Sequence, residues 1–540
     1  MIYNARMMRT RLARIQSSPW PVYLLVALVA FVVFLPWVQG YFLGDDWMLL
    51  ARNTGRPLPD LLRQASDASN SRWYRPLSES SLGMSWRLFG MNPVGHHLLN
   101  SALHTLNAVL VAAIGSRLAR DLRVGLLAGL SFGLLACHTE AVVWITARHE
   151  MLAAAFALLG MTAYIRFRDT DRWRWWIGAL SFYVISLGFK ETTLALPLFW
   201  VLYDLIFCRL RWLGDFSRHP WKSAGAGDSK NAKVFGNSFA PLRLGARHLS
   251  VRQWVSWLFP LILAGAYALF RLRVGGGYNV PFHVLQALKN LVYYSLMEIV
   301  ALPVSTYFLA RFPFATLPVV AALIVACVLI LWLAWERARR DRVVWFGALW
   351  MVFALAPVIL IVAERTTYFS SAGWAWVIAA MVILAWDAAV PAHLPSRRLL
   401  VTFAMAGMLG ANLVALTHKS YQWNRVADLS RDVFSQVQAA LVDLSRSPGS
   451  QLWLVNPPGH VEYSEALGDR MLFGVWLLQG QLGTGVQAVL VQNRESKLAP
   501  REDMRQLLME RSVGGPVVAF YWQGGALSEP GTLESIRLLQ

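Results

Sequence analysis

The chain has 540 residues, is 56% hydrophobic and 13% aromatic, and carries a formal charge of +19 with a mean hydropathy of +0.43. Those values exclude an ordinary soluble domain and point to helices that cross a bilayer repeatedly, each satisfying its own backbone hydrogen bonds in lipid. The basic surplus is not a nucleic-acid footprint, because Lys and Arg sit mostly in short connections between apolar runs.

An Arg-rich start (Arg6, Arg9, Arg11, Arg14) precedes an apolar run from Pro21 to Val38. No small-residue cleavage site follows it, so an uncleaved anchor is expected. The apolar pattern predicts eleven spans, near 20–39, 97–116, 124–145, 150–165, 175–189, 192–208, 254–270, 316–335, 343–363, 372–390 and 399–417. With the N-terminus in the cytoplasm, 26 Lys and Arg of the membrane part fall on the cytoplasmic side and 13 outside, the bias expected of positive-inside topology. The run Asn290–Ser305 is also apolar, but a crossing there would move the basic "ERARRDR" outside, so a re-entrant or interfacial helix is expected.

An odd number of spans places residues 418–540 outside. Their short runs "QLWLVN", "VQAVLVQN" and "PVVAFYWQ" read as strands, joined to the membrane part by the helical pattern "QWNRVADLSRDVFSQVQAALVDL". The expected organisation is therefore a polytopic α-helical membrane domain, 1–417, followed by a small external α/β domain, 418–540. The chain holds no Asn-X-Ser/Thr sequon, which favours a bacterial inner membrane and a periplasmic C-terminal domain. Cys137, Cys208 and Cys327 all fall in or beside apolar segments and read as packing thiols, not as a disulfide framework or metal pair.

This topology gathers polar residues at the external face. Asp45 and Asp46 follow the first run; His97, Asn100, His104 and Asn107 begin the second at helical spacing. Later loops add His138, Glu140, Arg148 and Glu150, then Lys190 and Glu191, then Glu364, Arg365, Tyr368 and Ser371. Each has an ordinary structural reading. The acids can cap a helix, the histidines can bond within a bundle, and the cations can reach for lipid phosphates. Their agreement on one face is what suggests a single polar site, because ionisable groups at bilayer depth usually face an interior cavity.

In order along the chain, "DDW", "WYRPL", "HHLLNSALH", "HTEAVVWITARHEML", "FKETTLALP" and "AERTTYFSSAGW" resemble the motifs of multispanning glycosyltransferases of the C superfamily. The likeness is greatest to the transmembrane mannosyltransferases that carry tetratricopeptide repeats and to their bacterial relatives. It covers roughly residues 20–425. The resemblance implies a polyprenyl-phosphate sugar donor, an external active site, inverting transfer and a glycan or protein acceptor. The family's first-loop acids fall on Asp45 and Asp46, its Tyr-Arg-Pro-Leu on Tyr74 to Leu77, which includes Arg75, and its third motif on His138, Glu140 and Arg148. Its Glu-Arg stretch falls on Glu364, Arg365, Tyr368, Ser371 and Gly373. Thr139 and Ser370 stand where the family usually has proline, and the repeats are replaced by the α/β domain.

Transfer from such a donor needs a carboxylate to take the acceptor proton, fixed cations for the leaving phosphate, and an apolar groove for the lipid. Asp45 or Asp46 suits the first role; Arg365, Arg148 and Lys190 suit the second. A divalent ion (Mg or Mn) held by Asp45 and Asp46 is the alternative to direct base action. Rival functions are a flippase or transporter of lipid-linked sugars and an envelope glycan ligase or polymerase.

Overall fold

The computed structural model describes residues 18–53, 57, 59–60, 63, 74–209, 251–274, 283–301, 317–388, 395–455, 457, 460–461, 464–465, 470–491, 515–523 and 532–538. The Arg-rich start and most of the basic 209–252 connection lie outside them.

All eleven expected spans fall on helices. α1 (Trp20–Val32) leads to the short amphipathic α2 (Asp45–Asn53) and to α3 (Pro76–Phe89). α4 (Pro93–Ala119) starts with proline at its first position and an Asn92 side chain that accepts from Val94 N at 3.1 Å, a strong start signal. α5 (Leu122–Leu134) is capped by Asp121 in the same way. The chain then bends by 51° into a one-turn segment and α6 (Thr139–Val143), before α7 (Arg148–Thr170) and α8 (Trp173–Phe189). α9 (Leu196–Tyr203) ends in a π turn, Asp204–Arg209. α10 (Val251–Arg273), α11 (Val284–Val300), α12 (Leu317–Ala338), α13 (Arg342–Ala354) and α14 (Ser371–Ala388) complete the bundle, and α15 runs unbroken from Pro395 to Leu444.

Among the described residues, eight helical stretches are long and apolar enough to cross a membrane, and the bent pair α5–α6 makes a ninth. The other two expected spans are α8, with 17 residues, and α13 with its continuation to Val358. Seventeen residues rise about 25 Å, the lower limit for a crossing. α13 and α14 meet backbone to backbone: a Cβ on Gly347 would lie 2.6 Å from Gly373 O, and one on Gly373 2.4 Å from Gly347 O.

The C-terminal strands form a four-stranded sheet, order β4-β1-β5-β6, in which β1 (Gln451–Val455) pairs in parallel with β4 (Gln487–Val491) and β5 (Val517–Gln523). β6 (Thr532–Leu538) pairs antiparallel with β5, and β2 (His460–Val461) with β3 (Ser464–Glu465) forms a separate ribbon. Strand alternation splits β1 between two cores. Leu452 and Leu454 pack against α15 and α16 (Met471–Leu482), while Trp453 and Val455 face the other side of the sheet.

The expected boundary at 417/418 falls inside α15, which continues through it because neither glycine nor proline occurs from Ala411 to Ser447. α2 is part of the second core. Trp47 is fully buried, its ring 3.9 Å from that of Phe434 on α15, and a Cβ on Gly474 of α16 would meet Trp47 at 2.9 Å. The first loop after α1 is thus packed into the C-terminal domain.

Candidate active site

The site begins where the chain leaves α1. Gly44 takes φ +43°, a left-handed turn that glycine adopts without strain, and Asp45 starts α2 directly after it. Asp46 is 1% exposed, and both its oxygens are used: Leu43 N donates to one at 3.0 Å and Thr146 N to the other at 2.9 Å. Burial raises its carboxyl to a pKa of about 7, the two backbone donors pull it down, and neighbouring Asp45 pushes it up. Asp45 keeps about a third of its side chain in solvent and forms an ion pair with Arg470 at the start of α16. One aspartate is therefore an anchor and the other faces the surface.

α4 presents its polar face to the interrupted segment between α5 and α7. Asn100 donates to Val142 O at 3.0 Å and accepts from Arg148 Nε at 2.7 Å; Arg148 also donates to His96 O at 3.2 Å. His97 bonds Gly40 O at 2.9 Å. Two turns beyond His97, His104 bridges Tyr368 Oη (2.9 Å) and Gly133 O (3.1 Å), and Asn107 donates to Met151 O at 2.9 Å. His138 meets Ser371 Oγ at 2.7 Å. Gly133 O and Val142 O lie at the ends of α5 and α6, where the helix break releases carbonyls that lipid cannot satisfy. The histidines thus take the bundle-bonding role, and Tyr368 joins α14 to them.

The charged groups pair across elements. Arg365 forms an ion pair with Glu140, donates its backbone N–H to the same carboxylate at 2.8 Å, and lies 4.9 Å over the Trp144 ring. Glu364 pairs with Lys419 on α15, and Lys190 with Glu150. Arg75 grips Glu191 with two bonds of 3.1 and 2.5 Å, while Arg271 approaches the same carboxylate at 3.7 Å and donates to Tyr74 O at 3.3 Å. Of the three expected phosphate-binding cations, Arg365 is 22% exposed as a side chain, Lys190 only 5%, and Arg148 is 1% exposed as a residue.

The candidate site residues lie in contact networks at one end of the bundle. The segment Trp144–Arg148 joins them: Trp144 carries Arg365, Thr146 holds Asp46, and Arg148 holds α4. Sequence reading missed Lys419, Arg271 and Arg470. Lys419 carried a usable signal, a lone cation at the end of an apolar run; Arg470, in "GDRML", carried none. Each Asp46 oxygen accepts one N–H group, and Asp45 faces the Arg470 guanidinium. Among the described residues no group of three metal-ligating side chains gathers.

No family model matches the chain. It is similar to protein O-mannosyl-transferase Tmtc1 of Drosophila melanogaster, 31% identical over 190 residues, which are 33% of this chain and 22% of that protein. It is also similar to human TMTC2, 29% identical over 182 residues (33% and 20%), and to human TMTC4, 30% identical over 179 residues (28% and 24%). The chain spans about a fifth to a quarter of the length of these relatives. Among solved structures it is similar to ArnT from Cupriavidus metallidurans bound to undecaprenyl phosphate, with 14% identity over 92% of each chain and a TM-score of 0.41. The Archaeoglobus fulgidus oligosaccharyltransferase tethered with an acceptor peptide aligns at 12% identity over 93% of this chain and 69% of that one, with a TM-score of 0.44.

Proposed function

We propose that this multi-pass membrane protein is a glycosyltransferase that moves a sugar from a polyprenyl-phosphate donor to an acceptor hydroxyl, with inversion, on the periplasmic face of a bacterial inner membrane. The observation that carries the reading is the shared segment Trp144–Arg148. It fixes Asp46, and with it the adjacent Asp45, on one side through Thr146, and a partly exposed arginine on the other through Trp144. The sequence similarity to protein O-mannosyltransferases supports the same reaction class.

In this reading Asp45 is the general base. It is the aspartate with solvent access, and once Arg470 releases it the acceptor hydroxyl can approach. The hydroxyl oxygen forms a bond to the sugar's anomeric carbon as the bond from that carbon to the phosphate oxygen breaks, and Asp45 takes the hydroxyl proton. Asp46 holds the start of α2 against the Trp144–Arg148 segment, so that the base does not drift. Arg365 receives the leaving phosphate. Its stacking on Trp144 and its bond to Glu140 preset the guanidinium plane, and stacked arginine forks are suited to phosphate oxygens. Lys190, Arg75 and Arg271 form a second, paired cationic group that sustains the field behind it, and buried Arg148 positions the segment.

The deciding experiment incubates purified protein with undecaprenyl-phosphate sugars and follows release of undecaprenyl phosphate by mass spectrometry. It is paired with glycan analysis of a strain lacking the protein. Release that is lost in Asp45→Asn while donor binding persists supports the reading. Movement of donor across vesicles without release, unchanged in Asp45→Asn, points to a transporter and overturns it.

A further inference from the structure

A second internal space lies at the other end of the bundle. A cavity of about 1070 Å³ opens between the ends of α4, α7 and α14, the starts of α5 and α13, and the π turn after α9. α4 separates it from the acid cluster: the helix starts beside His96 and His97 and reaches the cavity at Arg117–Arg120, about 33 Å further on at its regular rise. The lining is mixed: charged at the rim, with an apolar patch of Val124, Ile165, Phe207 and Leu384 on the inner side. The π turn that brings Phe207 to this wall is clamped by buried Asp204, which accepts from Tyr164 Oη at 3.0 Å and Trp257 Nε1 at 2.9 Å and pairs with Arg168 at 2.8 Å. Asp204 thereby ties the π turn to α7 and α10.

The rim carries four arginines and four aspartates, but their commitments differ. Asp121 caps α5 and binds Arg123, and Asp387 binds the same guanidinium. Asp169 pairs with Arg117 at 2.6 Å, and Asp341 accepts from Val343 N and Val344 N. Arg120, held at φ +56° past the end of α4, and Arg340 form no ion pair among the described residues. The charge left for a ligand is cationic. A cavity whose inner wall is partly apolar, with Arg120 and Arg340 at its charged mouth, suits an amphiphile with an anionic head.

We infer that this cavity is a seat for the headgroup and first chain segment of a phosphate-bearing lipid, separate from the acid cluster. Its volume matches a headgroup with part of a chain, at the upper end of small-molecule sites. The inference stands on this end of the bundle alone and does not require the proposed reaction.

The test uses full-length protein in phosphatidylcholine nanodiscs, with Arg365→Ala as the parent to remove the principal phosphate contact proposed at the other end. Native mass spectrometry measures retained undecaprenyl phosphate, phosphatidylglycerol and inorganic phosphate. In Arg120→Gln/Arg340→Gln, retention of the lipid probe should fall about tenfold or more, with the melting temperature unchanged. Leu384→Trp, which fills the chamber, should lower it as well. Loss confined to undecaprenyl phosphate assigns the seat to the carrier lipid; loss with both lipids assigns it to bulk anionic lipid. Retention equal to the parent in both variants, or retention of inorganic phosphate without either lipid, overturns the inference.

Discussion

At the scale of single residues, Asp45 and Asp46 are neighbours with opposite duties. Asp46 accepts two backbone N–H groups in a place water does not reach, and its pKa of about 7 is raised by that burial. The folded state therefore holds this proton where the unfolded chain, near the usual 3.8, has lost it. Stability from the group is present below about pH 4 and declines as pH rises through 7. Wild-type melting temperature should consequently fall between pH 5 and 8 more than that of Asp46→Asn, which has no proton to lose; equal slopes would contradict the assignment. Asp45→Asn should leave folding and donor affinity intact and abolish transfer, read as turnover against donor binding. Arg365→Ala should lower turnover by roughly 10²–10³-fold. Arg365→Lys should recover little of it, since lysine neither stacks on Trp144 in the same plane nor offers a fork. Full activity in either variant would remove the residue from the mechanism.

At the scale of elements, α2 has few residues and an exposed acid, yet its other face is fully engaged by α15 and α16 through Trp47, Phe434 and Gly474. Trp47→Ala should cost about 3–5 kcal/mol, as expected for a large buried aromatic. Gly474→Val should push α16 away from α2 and with it Arg470 from Asp45. Both variants should make the C-terminal domain more sensitive to limited proteolysis without changing insertion of the bundle. The elements differ in how readily their sequence announces them. Apolar runs such as 316–335 are plain because lipid demands them, and β1, β4 and β5 follow from their short buried patterns. The break inside 124–145 was invisible: "LLACHTEAVVWITAR" has neither glycine nor proline, and the segment is tied by Asn100 on α4, which bonds Val142 O and Arg148. Partners such as Lys419 for Glu364, far apart along the chain, were hidden for the same reason. The candidate residues could be read in sequence; which of them anchor and which face the site depends on contacts only the fold makes.

At the scale of the whole molecule, one end of the bundle carries the acid cluster and the C-terminal domain, and the other carries the Arg-rich turns around Arg117 and Arg340. In a background with Cys137, Cys208 and Cys327 replaced by alanine, an impermeant thiol reagent applied to intact spheroplasts should label Gly485→Cys and spare Glu336→Cys. The reverse pattern would invert the orientation and move the proposed chemistry to the cytoplasm. α15 adds a last constraint. It is a single rod of 50 residues, about 75 Å long, with Lys419 tied to Glu364 at one level and Ser430 and Phe434 tied to the α2 loop further along. On such a screw, adding one residue between Lys419 and Ser430 turns everything beyond it by about 100°. A seven-residue addition nearly restores the angle but lifts the domain by about 10 Å. The sheet domain is therefore set in phase as well as in height, and no linker slack exists through which a shifted domain could find Asp45 again.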